Sequence, residues 1–185
     1  MDKTLEKIIY GCKRNQLKYQ KKLYELYKDK MFAICLRYAK SKEEAEDVFQ
    51  DAFVKVFKKI DQYSFQGSFD GWIRRIFINT AITNYNLNKK RYYKEEIEVT
   101  DYEIKFFDIS NEEFTMEELL KVIQELPEGY RTIFNLYAIE GYKHREIAEI
   151  LGVDINTSKS QYSRAKKMLQ EKLIKLSNMK IQNEK

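Results

Sequence analysis

A chain of 185 residues, 43% apolar and 34% charged, with a formal charge of +5 at pH 7, has material for one or two small cores and is basic enough to seek a polyanion. It contains neither a run of about eighteen apolar residues nor a basic, apolar and small-residue leader, so no membrane insertion and no secretion are expected, and the chain is placed in the cytoplasm. The two cysteines, Cys12 and Cys35, follow no CxxC spacing, which argues against a disulfide framework or a zinc site and leaves buried or incidental thiols.

One proline, six glycines and the lack of any sustained alternating pattern predict an all-α fold. Helices are expected over residues 2–11 and 17–39, with Leu23, Leu26, Tyr27, Phe32, Ile34, Cys35 and Tyr38 as core. Ser41 is placed to cap the next helix. From Glu43 the periodicity is the cleanest in the chain. Ala45, Val48, Phe49, Ala52, Phe53, Val56, Phe57 and Ile60 fall on one face, while Glu46, Asp47, Gln50, Asp51 and Lys58 take the other. That acidic face is either ordinary solvated surface or a docking surface, and periodicity does not separate the two.

Residues 61–72, DQYSFQGSFDGW, break the helical pattern with Gly67 and Gly71 and crowd Tyr63, Phe65, Phe69 and Trp72 into twelve positions. Such a loop either plugs a core or offers stacking surfaces to unpaired bases. The helix expected over 72–90 mixes Arg74, Arg75, Asn79, Thr80, Thr83, Asn84, Asn86 and Asn88 with apolar residues and ends in Lys89, Lys90 and Arg91. Amides and hydroxyls suit base edges and terminal cations suit phosphates, so this helix is read as a nucleic-acid contact.

Charge divides the chain into three. Residues 1–91 carry 20 Lys/Arg against 11 Asp/Glu, residues 92–128 carry 3 against 12, and residues 129–185 carry 11 against 6. Periodicity is weak between Tyr92 and Asn111, which makes residues 92–115 an acidic flexible linker between two helical domains, 1–91 and 116–185. In the second domain, His144 to Leu151 reads as a short helix, Gly152 supplies a positive φ, and Asn156 or Thr157 caps a polar, basic helix through Lys167. Two short helices joined in this way are expected to form a helix-turn-helix whose second helix suits a major groove; a purely structural bundle is the bland alternative.

At this point nearly the whole chain resembles the extracytoplasmic-function (ECF) sigma factors of bacterial RNA polymerase. EEAEDVFQDAFVKVFKKI followed by FQGSFDGWIRRIFINTAITNYNLNKKR resembles their region 2, and LPEGYRTIFNLYAIEGYKHREIAEILG with NTSKSQYSRAKKML resembles region 4. The wording of LPEGYRTIFNLYAIEGY and TSKSQYSRAKKML is similar to sigma factors of the Bacteroidetes group. Ser158 departs from the pattern by standing where an aliphatic residue is usual, and the linker is richer in aromatics than most.

The resemblance implies that Asp47, Gln50 and Asp51 dock on the clamp helices of the polymerase's largest subunit. It implies that Gln66, Gly67, Ser68 and Phe69 form a pocket for a base flipped from the minus-10 element, with Asn79, Thr83 and Asn84 facing the same strand. Arg74, Arg75, Lys89, Lys90 and Arg91 would lie nearer the DNA backbone, and Thr157, Lys159, Ser160, Gln161, Arg164 and Lys167 would enter the minus-35 major groove. Implied partners are RNA polymerase core, through its clamp helices and flap, promoter DNA and an anti-sigma factor; the acidic linker would thread the RNA exit path.

The mechanism expected is binding and not catalysis. His144, the only histidine, has no nucleophile or carboxylate pair arranged around it, and neither a metal-ligand cluster nor a phosphate-cradling glycine motif occurs, so no enzyme activity, metal or cofactor is expected. A helix-turn-helix regulator with an N-terminal sensor or dimerisation domain is the other reading, and it predicts tight duplex binding by the chain alone.

Overall fold

The computed structural model describes residues 3–92 and 114–183, the side chains of 89–92 and 183 excepted. The linker expected over 92–115 therefore lies almost wholly outside the described residues. The chain forms two compact units, Met1–Asn84 and Tyr85–Lys185, and among the described residues there is no strand. In chain order the helices are α1 Lys3–Lys13, α2 Leu17–Tyr38, α3 Lys42–Lys59, a 3₁₀ turn Ile60–Gln62, α4 Phe69–Tyr92, α5 Met116–Gln124, α6 Glu128–Phe134, a π-helical turn Asn135–Ile139, α7 His144–Leu151 and α8 Ile155–Asn183.

The first unit is closed by ends that its sequence specifies. α1 stops where Asn15 turns left-handed, φ 54°, which lets the Gln16 N–H donate to Gly11 O and the Asn15 N–H to Cys12 O. α3 starts at Ser41, whose hydroxyl accepts from the Glu44 N–H at 3.3 Å while the Glu44 carboxylate accepts from the Lys40 N–H at 2.8 Å. The predicted stripe of α3 is buried at Ala45, Val48, Ala52, Phe53 and Val56, with Phe49 and Phe57 half-buried. Phe49 and Phe53 meet Phe77 of α4 with ring centroids 5.8 and 5.1 Å apart, and Tyr24 of α2 closes the cluster. Burial of such side chains contributes roughly 1.5–3 kcal/mol each.

Two core expectations on α2 need correction. Leu26 is 58% exposed, because it lies about 100° round the helix from Tyr27 and outside the stripe of Leu23, Tyr27, Ile34, Cys35 and Tyr38. Phe32 is half-buried with its ring against the edge of Phe49, and Met31, fully buried, takes the central place.

The second unit is built on α8. Val122 and Leu126 pack against Ala165 and Leu169, with Phe134, Met168 and Leu173 around them. Thr115 and Glu118 form a reciprocal capping box at the start of α5. Arg131, only 2% exposed, donates from Nη1 to the carbonyls of Gln124 and Leu126 at 2.8 and 3.1 Å, satisfying the end of α5. Lys172 and Lys180 of α8 reach back to Glu125 and Glu118 at 2.6 and 2.8 Å.

Candidate nucleic-acid and polymerase interfaces

The aromatic loop is shorter than its composition suggests. α4 begins at Phe69, so Gly71 and Trp72 belong to the helix and the irregular stretch is residues 63–68. Ser68 caps this start, its hydroxyl accepting from the Gly71 N–H at 3.4 Å, and in the first turn the Asp70 carboxylate accepts from the Tyr27 hydroxyl at 3.1 Å and pairs with Lys30 at 2.5 Å. Lys30, and secondarily Tyr27, holds the Asp70 carboxyl below its usual range against the opposing effect of burial. Of the loop rings, Tyr63 and Phe69 are buried, their centroids 5.1 Å apart, and Trp72 packs on both. Gln66, Gly67 and Ser68 are exposed at the tip. Phe69 thus sits beneath the polar tip and not beside it.

Along α4, Asn79 and Thr83 are exposed and adjacent, with the Thr83 hydroxyl donating to Asn79 O at 2.7 Å. Asn84 is half-buried and donates its amide to Glu44 at 3.1 Å. Thr80 is buried and turned inward, its hydroxyl donating to Ile76 O and accepting from Lys55. Arg75 is exposed and Arg74 half-buried. Lys89, Lys90 and Arg91 lie in the last turn of α4, and their side chains lie outside the described residues.

On α3, Asp47, Gln50 and Asp51 are all exposed. Val54 is 51% exposed, and its helical spacing from Asp47 and Asp51 puts it on the same face. Val54 falls outside the stripe that periodicity selects, so the sequence alone does not single it out.

The helix-turn-helix forms as expected, α7 being joined to α8 through Gly152 with φ 60° and ψ 44°. The cap differs from expectation: Asp154, and not Asn156 or Thr157, receives the Asn156 N–H on its carboxylate at 2.7 Å, because α8 already begins at Ile155. Lys159 and Lys167 are exposed, while Thr157, Ser160, Gln161 and Arg164 are half-buried. Ser160 donates to Thr157 O at 3.1 Å, and Arg164 donates to the Tyr130 hydroxyl at 3.3 Å. The Gln161 amide oxygen is buried without a hydrogen-bond partner, against Gly129.

Residues 23–91 match the family model of Sigma-70 region 2, and residues 116–169 match that of Sigma-70, region 4. The ECF RNA polymerase sigma-E factor of Escherichia coli is 31% identical over 159 residues, which cover 80% of this chain and 82% of that protein. The chain belongs to the ECF RNA polymerase sigma factors. The ECF sigma factor SigW of Bacillus subtilis is 29% identical to it over 184 residues, covering 94% of this chain and 98% of that one. A solved structure of the sigma factor RpoE with the anti-sigma factor NepR from Bartonella quintana aligns with a TM-score of 0.48 at 22% identity, over 83% of this chain and 95% of that chain.

In this sigma factor, region 2 spans α2 to α4 and region 4 spans α5 to the middle of α8, and α1 precedes the matched residues. Among the described residues no helix is long and apolar enough to cross a membrane, and no group of three His, Cys, Asp or Glu is placed to hold a metal ion.

Proposed function

We propose that this sigma factor binds RNA polymerase core through the Asp47, Gln50, Asp51 and Val54 face of α3, reads the minus-35 element with the first turns of α8, and opens the minus-10 element with the 63–68 loop and α4. The observation that carries the reading is the loop itself: three small or polar residues, Gln66, Gly67 and Ser68, stand exposed on a base of packed rings. A flipped base costs a few kcal/mol to unstack, and a preformed polar tip offsets that cost without rearrangement. Asn79 and Thr83, exposed on α4, supply donors and acceptors to the same strand, with Asn84 behind them and Arg74 and Arg75 toward phosphates. Phe69 supports the tip from below.

In region 4, Lys159 and Lys167 give exposed charge, and Thr157, Ser160, Gln161 and Arg164 give directional hydrogen-bonding groups on the turns that follow Asp154. The flap of the polymerase and an anti-sigma factor are its further partners, the linker over 92–115 runs in the RNA exit path, and the chain acts by binding, in the cytoplasm. The wording of its region 4 supports an origin among Bacteroidetes sigma factors.

Purification of the tagged chain from its own cells tests this reading. Stoichiometric recovery of the polymerase core subunits is expected. Recovery of the chain alone, with nanomolar binding to duplex DNA in the absence of polymerase, would instead make it a self-sufficient helix-turn-helix regulator.

A further inference from the structure

Lys13, the last residue of α1, lies outside the residues matched to region 2, yet its ammonium group is spent on the loop. It donates to Tyr63 O at 2.6 Å and to Asp61 O at 3.3 Å, and it stands 5.0 Å from the centroid of the Phe65 ring. Tyr10, one turn earlier on α1, stacks on the same ring with centroids 4.8 Å apart and planes 28° apart. Phe65 needs such support. Its φ is 63°, a left-handed conformation that a bulky side chain adopts only where its surroundings impose it. Beyond it, Gly67 is also left-handed, and the Tyr63 hydroxyl donates to Gly67 O at 2.8 Å, which ties the exposed tip back to the buried ring.

α1 is itself well anchored. Ile9 and Cys12 are fully buried, and Gly11 packs so tightly on Tyr19 of α2 that a Cβ would fall 2.2 Å from that ring. The strained residue is therefore held between a rigid helix and the buried ring of Tyr63.

We infer that α1 is a clamp for the minus-10 loop, in which Lys13 and Tyr10 are positioning residues that hold Phe65 left-handed and so present Gln66, Gly67 and Ser68 ready-made to the flipped base. The inference rests on the base-capture reading of that loop. Loss of the clamp lets Phe65 relax, and the tip must then be ordered during opening, so the defect belongs to the melting step and not to polymerase or duplex binding.

The test uses the full chain in holoenzyme, on a promoter identified by transcript sequencing, with permanganate reactivity of unpaired thymines as the readout. Lys13→Met and Tyr10→Ala are each expected to slow opening of the duplex about tenfold, the size of one lost charged hydrogen bond or ring contact. Both are expected to bind core as the parent does and to recover on a template premelted across the minus-10 element, and Lys13→Arg is expected to retain most of the parental rate. Tyr10 is 47% exposed, so its replacement leaves the core of the unit intact.

A third variant, Gln66→Ala with Ser68→Ala, separates the failure modes. If it slows duplex opening while Lys13→Met and Tyr10→Ala match the parent, the loop holds itself and the clamp is wrong. Equal slowing of the α1 variants on duplex and premelted templates would make α1 a general support of the fold, which also overturns the clamp. If the Gln66 and Ser68 variant opens the duplex at the parental rate, base capture fails and takes the clamp with it.

Discussion

Nδ1 of His144 lies 3.0 Å from the hydroxyl of Ser158, joining the first residue of α7 to a fully buried side chain of α8. A buried hydroxyl without a partner would cost about 1–3 kcal/mol, so the polar residue at position 158 is tolerable because the imidazole meets it. Tyr137 stacks on that imidazole at 4.2 Å and Tyr162 meets its edge at 5.7 Å, fixing the ring across the helix-turn-helix. The only histidine of the chain is thus a brace between the two helices.

Burial, and after it the charge of Lys159, pushes the His144 pKa below its ordinary 6.5. Because the folded value is the lower one, the unfolded chain takes up the proton first as pH falls. Stability from this site is complete above about pH 6.5 and is lost as pH drops through the folded value. A single-histidine NMR titration should give a pKa under 6.5 that rises in Lys159→Gln. An ordinary value unaffected by Lys159→Gln would contradict the burial of this imidazole beside Lys159.

The α3 face makes a separate prediction. Asp47→Lys combined with Asp51→Lys should reduce association with polymerase core at least about tenfold, since reversed charge at a docking surface opposes encounter and binding alike. Helicity and melting temperature should stay parental, because both side chains are exposed and off the buried stripe. Circular dichroism with a core-binding titration checks both halves. Parental affinity in a folded variant would reassign this face to plain solvent contact.

Much of this arrangement was legible in the sequence, and what escaped has identifiable causes. The α3 stripe, the Ser41 cap and the Gly152 turn follow from period and local chemistry, and they fall where those rules put them. The start of α4 was misplaced because Gly71 reads as a breaker. Ser68 caps the helix ahead of that glycine, and the Asp70 contacts with Tyr27 and Lys30, forty and more residues away, hold its first turn. The service of Lys13 to the loop was invisible because its partners are 48 and 50 residues distant. Leu26 looked like core because its spacing from Leu23 is helical, but it falls on the far edge of the face that α2 buries.

Gln161 and Lys159 should fail differently at the minus-35 element. Gln161→Met removes a buried amide oxygen that lacks a partner, so melting temperature should hold or rise while discrimination at one base pair weakens by about 1–3 kcal/mol. Lys159→Ala should lower affinity and make the salt dependence shallower by about one counterion if the ammonium meets phosphate. Binding of holoenzyme to single-base promoter variants at several salt concentrations separates the two. Unchanged affinity and specificity in both would move the reading surface elsewhere on α8.

The central claim, that this chain confers promoter choice on polymerase, is tested most directly by sequencing the 5′ ends of RNA made from genomic DNA by core polymerase with and without the chain. New start sites are predicted only when the chain is present, with two short shared motifs upstream near minus-35 and minus-10, and the set should collapse when the acidic face of α3 is reversed. Start sites identical to those of core alone, or new ones that share no upstream motif, would contradict the account.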